Sequence, residues 1–347
     1  MRASTAAPII RQRYARDGVA PIVRLLAGEQ ATGTGALRAD GEDALFAALP
    51  ADEPARIEIE GAGVFALHRD HRPGRLSGRI VVVTGSAQGF GEGIAAELLK
   101  EGCRLCYADL NGDLAQRNAE AANRFYGRGT AIAARCDVAD EASVAAMIEE
   151  TVAAFGGLDL FVANAGILIS GGLEDMDLAR FELVTRVNYT AFFLCAKYAA
   201  RVMKLQRRFN PEATADIVQV NSKSGLEGSN KNFAYAGGKF GGIGLTQSFA
   251  KELVEHGVKV NAVCPGNYFE GPLWMDPESG LFAQYLKAGK APGARTAEDV
   301  KRFYEAKVPM NRGCFPVDVA RAILYCVEQM YETGQAIPVT GGQTMLK

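Results

Sequence analysis

From Ser77 onward, short apolar runs alternate with helical patterns. "RIVVVTG" is an apolar run ending in glycine, the mark of a buried strand. "EGIAAELLKEG" follows, with apolar residues at helical spacing and Gly102 as its stop. "RLCYAD" predicts a strand, and a helix runs from there to about Phe125. "TAIAARC" is the next strand, followed by a helix over Asp140 to Phe155 and "LDLFVA" as a fourth strand. A long helix is predicted from about Asp177 to Leu205, then "ADIVQV", a helix carrying Tyr235, "VKVNAVC", a helix from about Pro316 to Tyr331 and "QAIPVTGG". Strands separated by helices predict an α/β fold, a doubly wound parallel sheet of about seven strands covered on both faces.

Residues 1–76 carry a different pattern. Every basic residue there is Arg or His, and Gly, Ala and Pro are common. "PIVRLLAG" and "EDALFAAL" predict short helices, and "ARIEIEGAGVFALH" predicts two strands around Gly61 and Gly63. No chemical motif stands out. The expected organisation is an accessory segment over 1–76, packed on the core or on a neighbouring subunit, and a catalytic domain over 77–347.

The chain has 347 residues, 48% of them apolar, and a formal charge of −2. That balance gives no basis for a nucleic-acid or membrane-surface partner, and no apolar run is long enough to span a bilayer. Seven scattered cysteines, mostly in apolar runs, read as reduced thiols of a cytoplasmic chain. Cys103 and Cys106 form a C-x-x-C, but on a strand they face opposite sides, and no second pair completes a metal set. No metal is expected.

Two stretches carry chemistry. "VVVTGSAQGFGEG" joins the first core strand to its helix as T-G-x-x-x-G-x-G, with Gly85, Gly89 and Gly91. Small residues let backbone amides approach a pyrophosphate at the helix N-terminus. Asp109 ends the second core strand, 18 residues after Gly91. A carboxylate there accepts hydrogen bonds from both adenosine ribose hydroxyls and repels a 2′-phosphate, and the following Leu110 and Asn111 supply no cation, so NAD is expected over NADP. The second stretch is "YAGGK". Tyr235 and Lys239 share one face of a helix. An ammonium there stabilises a phenolate and lowers the phenol pKa from about 10, which suits Tyr235 to move a proton near neutral pH.

Together these motifs resemble the short-chain dehydrogenases/reductases, whose Rossmann-type fold covers Ser77 to Lys347. Further stretches agree in order: "CDV" with Asp137 and Val138, "NAG" at Asn164, Ala165 and Gly166, Asn188 in the long helix, Ser222 placed 13 residues before Tyr235, and "PG" at Pro265 and Gly266. The resemblance implies that Asp137 and Val138 touch the adenine and that Asn164–Gly166 hold cofactor and sheet together. It also implies that Ser222 holds the substrate oxygen, that Lys239 bonds the nicotinamide ribose, and that Asn188 keeps a water leading from Lys239 to solvent. The cofactor is expected against Gly85, Ser86, Gln88, Gly89, Phe90 and Gly91 of the turn, and against Asn267 after the "PG". Two departures stand out. "KLQRRFNPEATA" is longer than usual for the family and reads as a surface loop, and Glu270 occupies the place of a frequent Thr. The family pairs through its long helices, so a homo-oligomer, dimer or tetramer, is expected.

Within the family, "NSKSGLEGS", "GGKFGGIGLTQS", "KVPMNRGC" and "TGQAIPVTGGQ" resemble dehydrogenases of sorbitol 6-phosphate-like polyol phosphates. Lys223, Lys231 and Arg312 are then candidates to meet the phosphate. An unphosphorylated polyol, sugar or hydroxy acid is the alternative substrate. An NAD-binding regulatory protein without turnover is a third reading, against which the full set of Asn188, Ser222, Tyr235 and Lys239 argues.

Overall fold

A computed structural model of the protein describes residues 1–17, 19–31, 35–69, 72–278, 280–287 and 289–345. The chain opens with α1 (Ala3–Arg13), β1 (Ile22–Leu25), α2 (Glu42–Ala48), β2 (Arg56–Ile59) and β3 (Gly63–His68). These strands form a small antiparallel sheet in the order β1-β3-β2. The "EDALFAAL" helix and the two strands around Gly61 and Gly63 form as the pattern predicts. "PIVRLLAG" does not form a helix. Its buried, β-branched Ile22 and Val23 pair with His68 and Leu67, because a short apolar run takes whichever form its neighbours complete.

The core follows as β4 (Ile80–Thr84), α3 (Gly89–Lys100), β5 (Arg104–Asp109), α4 (Gly112–Tyr126), β6 (Ala131–Arg135), α5 (Glu141–Phe155) and β7 (Leu160–Ala163). Next come α6 (Leu178–Thr185), α7 (Ala191–Phe209), β8 (Ala215–Val220), α8 (Phe233–Leu253) and β9 (Val258–Pro265). The last elements are α9 (Pro272–Met275), α10 (Leu281–Lys287), α11 (Ala297–Glu305), α12 (Pro316–Glu328) and β10 (Ala336–Val339). The seven core strands form one parallel sheet in the order β10-β9-β8-β7-β4-β5-β6. Strand order reverses between β4 and β7, so a crevice opens beyond their carboxyl ends.

Side chains from α5, α7 and α8 (Val144, Met147, Ala199, Met203, Ala250) fill one face of the sheet. Those from α3, α4 and α12 (Ile94, Leu98, Ala115, Val319, Ile323) fill the other. Ile9 and Ile10 of α1 and Phe65 of β3 belong to the first of these cores, so the N-terminal segment packs on the α5/α7 layer. Arg11 reaches further. It is 2% exposed and donates to both oxygens of Asp159, at 2.9 and 2.8 Å, just ahead of β7.

"KLQRRFNPEATA" is not a loop over its first half, because α7 continues to Phe209. Gln206 is buried there, bonding the Leu158 amide (2.8 Å) and carbonyl (3.0 Å), and Phe209 stacks on Phe46 of α2 (5.0 Å). Packing against the N-terminal segment sustains the extra turns. The predicted long helix is also interrupted, by a π-helical turn over Arg186–Thr190 that contains Asn188.

Candidate active site

The site lies where the carboxyl ends of β4, β7, β8 and β9 meet. Gly85 and Gly89 have φ of +63° and +65°, a region that side-chain-bearing residues avoid, and they bend the chain from β4 into α3. A Cβ on Gly91 would stand 2.0 Å from the Gly85 carbonyl oxygen and 2.5 Å from Asn164 Nδ2. The glycines therefore bring the first amides of α3, which have no intrahelical acceptor, against the crevice. Ser86 is buried, its hydroxyl bonding the Val83 carbonyl at 2.8 Å, and Gln88 is the N-cap residue of α3. Phe90 stacks on Tyr268 at 4.8 Å between centroids.

Asn164 locks the turn to the sheet. Its Nδ2 donates to the carbonyls of Thr84 (2.9 Å) and Gly85 (3.0 Å), and the amides of Asn164 and Ala165 donate to Thr84 Oγ1 at 3.0 and 3.1 Å. Thr84 was not singled out from the sequence, although it is the first letter of the glycine motif. Asp109 accepts from the Ala87 amide (2.9 Å) and the Asn111 amide (2.8 Å) and stays half-buried, so its carboxylate faces the turn with acceptor capacity to spare. Asp137 accepts from the Ala139 amide (2.9 Å), and Val138 beside it is buried. Pro265 ends β9, the Gly266 amide donates to the Val339 carbonyl (2.9 Å), and the Asn267 carbonyl accepts from Cys314 N (2.7 Å). This cradle, narrowed where a Cβ would fill it and ringed by amides and a ribose-sized acceptor, fits a dinucleotide.

Beside it sit the four proposed catalytic residues. Ser222 follows β8, its backbone amide fixed by Asn221 Oδ1 (2.8 Å). Asn221 also donates to the Lys239 carbonyl (2.9 Å), a buried brace that the sequence reading did not single out. Tyr235 sits beside the Ser222 side chain, which pulls its phenol pKa down. Lys239 Nζ lies 5.5 Å from the Tyr235 ring centre and donates to the Val220 carbonyl at 2.9 Å. Asn188 Nδ2 donates to the Ile167 carbonyl (2.7 Å), and its Oδ1 accepts the Ile167 amide (3.1 Å). A Cβ on Gly166 would stand 2.7 Å from Asn188 Oδ1 and 3.7 Å from Lys239 Nζ, so both residues flank that glycine. A cavity of about 10 Å³ lined by Asn188, Lys239, Gln219 and Thr84 has room for about one water. The π turn is what aims Asn188 inward, a use common at functional sites. The close spacing of the helices rests on Gly238, whose Cβ would stand 3.2 Å from Asn188 Cβ.

The electrostatics differ from the sequence expectation in one respect. Burial pushes the Tyr235 phenol up, against the Ser222 hydrogen bond that pulls it down. Burial also pushes the Lys239 ammonium down, to about 8. The phenol therefore stands above its ordinary value, with burial the dominant cause.

The three phosphate candidates separate. Lys223, next to Ser222, is half-buried, and burial, together with nearby Lys307, lowers its pKa against the pull of Glu227. Lys231 is exposed at φ 58°, with its carbonyl bonded by Gly171 N (2.8 Å) and Ser170 Oγ (3.0 Å). Arg312 is held by Asp318 through two contacts of 2.6 and 3.0 Å and stacks on Phe315. Glu270 pairs with Lys301 at 3.2 Å. Above the site, α9 to α11 form a lid around Trp274, Phe282 and Tyr285. Among the described residues, no group of three or more His, Cys, Asp or Glu is placed to hold a metal, and no helix is long and apolar enough to cross a membrane.

Comparison with known proteins agrees with this geometry. The short chain dehydrogenase family model matches residues 79–275. Sorbitol-6-phosphate 2-dehydrogenase of Escherichia coli (strain K12) is 36% identical over 270 residues, covering 77% of this chain and 99% of that protein. The crystal structure of sorbitol-6-phosphate 2-dehydrogenase SrlD from Erwinia amylovora superposes with a TM-score of 0.70 at 36% identity, covering 77% of this chain and 100% of that one. The uncharacterized oxidoreductase YuxG of Bacillus subtilis (strain 168), 28% identical, aligns with 86% of this chain and 42% of its own length.

Proposed function

Because this chain belongs to the short-chain dehydrogenase family, we propose that it is an NAD-dependent oxidoreductase interconverting a secondary alcohol of a sorbitol 6-phosphate-like polyol phosphate and the ketose phosphate. The observation that carries the chemistry is Tyr235 set beside Ser222, with Lys239 Nζ 5.5 Å from its ring on the same face of α8. Bound NAD supplies the hydride acceptor. Asp109 selects the unphosphorylated ribose, and the amides opening α3 take the pyrophosphate. Ser222 holds the substrate oxygen. Tyr235 takes the alcohol proton in oxidation and returns it in reduction. With a pKa of about 8, Lys239 is still charged at pH 7 and stabilises the phenolate as it forms.

Lys223, beside Ser222 and with Lys307 near it, supports a phosphate on the substrate. The alternative, an unphosphorylated polyol, sugar or hydroxy acid, is favoured by the tie of Arg312 to Asp318, which removes one cation from the pocket. Exposed Phe181, Leu183, Tyr189, Phe193 and Phe240 along the long helices support a homo-oligomer, dimer or tetramer. Seven free, buried thiols support a reducing, cytoplasmic setting.

The test is steady-state turnover of NAD with a panel of polyols and their phosphates. Sorbitol 6-phosphate is expected to exceed sorbitol at least 10-fold in kcat/KM, a scale of about 1.4 kcal/mol. Tyr235→Phe is expected to lower kcat by about 100-fold or more while cofactor binding persists. Equal use of free and phosphorylated polyols transfers the assignment to the alternative substrate. Full turnover by the Phe variant refutes the chemistry.

A further inference from the structure

We infer that Asn232 is a substrate-contact residue that recognises a hydroxyl neighbouring the reacting alcohol carbon. The inference rests on the proposed alcohol chemistry at Tyr235 and extends it to the shape of the substrate.

Asn232 occupies the N-cap position of α8, with Tyr235 at the third helical position. An Asn at an N-cap ordinarily accepts from the amide of the second or third helical residue. Asn232 makes no such bond. Its side chain turns to the lid instead, where Nδ2 donates to Tyr285 Oη and to Ser229 Oγ, each at 3.3 Å. The residue is 7% exposed, and its Oδ1 is buried without a partner. Buried polar atoms are rarely left so, because an unmade hydrogen bond costs the full loss of hydration.

The backbone supports the same reading. Lys231, immediately before, is one of three non-glycine residues at positive φ among those described (58°). Its carbonyl is gripped by Gly171 N and Ser170 Oγ, from the segment following β7. Such strain persists where surrounding contacts over-determine it, and it gathers at functional sites. Here it sets the entry of the chain into α8, with Asn232 as its N-cap residue. The lid partner, Tyr285, packs edge-on against Trp274 and sits near enough to Tyr235 to raise its pKa. Asn232 therefore ties the start of the helix that carries the proton-transferring phenol to an aromatic wall.

A hydroxyl is the group that fits. If the amide is turned over, Oδ1 accepts from Tyr285 and Ser229, and Nδ2 becomes the atom without a partner. A hydroxyl donates and accepts, so it satisfies either orientation. An apolar substituent satisfies neither. Side chains three positions apart at the start of a helix are neighbours, on the order of 5–6 Å between Cβ atoms. The recognised hydroxyl is therefore on the carbon adjacent to the one held by Tyr235. The substrate class is a vicinal polyol rather than an isolated alcohol.

The experiment uses the full chain with NAD and four alcohols: sorbitol 6-phosphate, sorbitol, 2,3-butanediol and 2-butanol, the last two differing by one hydroxyl. Wild type is expected to favour 2,3-butanediol over 2-butanol by about 100-fold in kcat/KM, since a site built to bond a hydroxyl rejects the analogue without it. Asn232→Leu is expected to abolish that preference through the diol alone. It should lower both sorbitol compounds by about the same factor, leaving their ratio and NADH affinity unchanged. Asn232→Ser, which keeps a hydrogen-bonding group, is expected to fall between. Equal loss on diol and mono-alcohol, or no loss on either, overturns the inference. Wild-type turnover of 2-butanol as efficient as that of the diol overturns it while leaving the dehydrogenase reading intact. Absence of turnover with all four alcohols overturns both.

Discussion

Replacing Arg11 by methionine tests how far residues 1–76 are part of the folding core. The guanidinium donates to both oxygens of Asp159 and to the Gly78 carbonyl at 3.0 Å, with 3% and 7% of the two side chains exposed. Burial pushes the Asp159 carboxyl up, yet Arg11, helped by Arg79 and the Ile80 amide, holds it below 3.8. Arg11→Met leaves that carboxylate with the Ile80 amide (2.8 Å) and Gln206 Nε2 (3.3 Å) as its remaining close donors. Removing one partner of a buried pair costs about 3–5 kcal/mol, because the other charge stays in place uncompensated. At about 2.1 cal/mol/K per residue, unfolding 347 residues carries an entropy of about 0.7 kcal/mol/K, so Tm is expected to fall by about 4–7 °C.

Differential scanning fluorimetry and urea melts read the shift. Asp159 is depressed in the folded state, so its contribution is present above pH 3.8 and is lost as pH falls through the folded value. The gap between wild type and variant is accordingly full at pH 7 and narrows in acid. Adding Asp159→Asn to Arg11→Met is expected to recover most of the loss, since replacing both members removes the buried charge. An unchanged Tm in the single variant, or a double variant less stable than the single, refutes the reasoning. A chain lacking residues 1–76 that melts like wild type refutes it as well.

Other outcomes follow from the same structure. Asp109→Ala is expected to weaken NAD and reduce discrimination against NADP, because Arg135, the register neighbour of Asp109, is the cation left beside the ribose site; wild type preferring NADP in steady-state kinetics refutes it. Phe193→Glu, on a residue 44% exposed on α7, is expected to shift light scattering toward the monomer, and a monomeric wild type removes the premise. Burial raises Cys103, Cys106, Cys314 and Cys326 from 9.0 to about 12, and Cys136 and Cys264 to about 11. These thiols ionise first in the unfolded chain, so their contribution is full below pH 9.0 and declines as pH rises toward 12, with the depressed Lys223, Lys239 and Lys290 opposing them. A urea midpoint that climbs between pH 9 and 11 contradicts this.

What the sequence makes legible is what local pattern dictates. Gly85, Gly89 and Gly91 announce a turn because no other residue type suits the torsions of the first two or fits the space at the third. Ser222 and Asn164 are recognisable because each stands just past a buried apolar run. The features that stayed hidden depend on partners remote in the chain. Asp159, ahead of "LFVA", reads as an ordinary polar residue until Arg11, 148 positions away, is found against it. The last turns of α7 read as loop because the surface that buries Gln206 and Phe209 belongs partly to residues 1–76. Arg312 reads as a free cation until Asp318 is seen to hold it. Lys239 shares a helix face with Tyr235, as spacing requires, but the direction of the phenol pKa depends first on burial, which spacing does not report. The change of pattern at Ser77 therefore marks where strand–helix alternation begins, whereas the forces cross it: Ile9, Ile10 and Phe65 lie in one apolar cluster with Met147 and Met203. A segment without a chemical motif thus packs on the α5/α7 layer, on which the strands that end just before Asn164 and Ser222 rest.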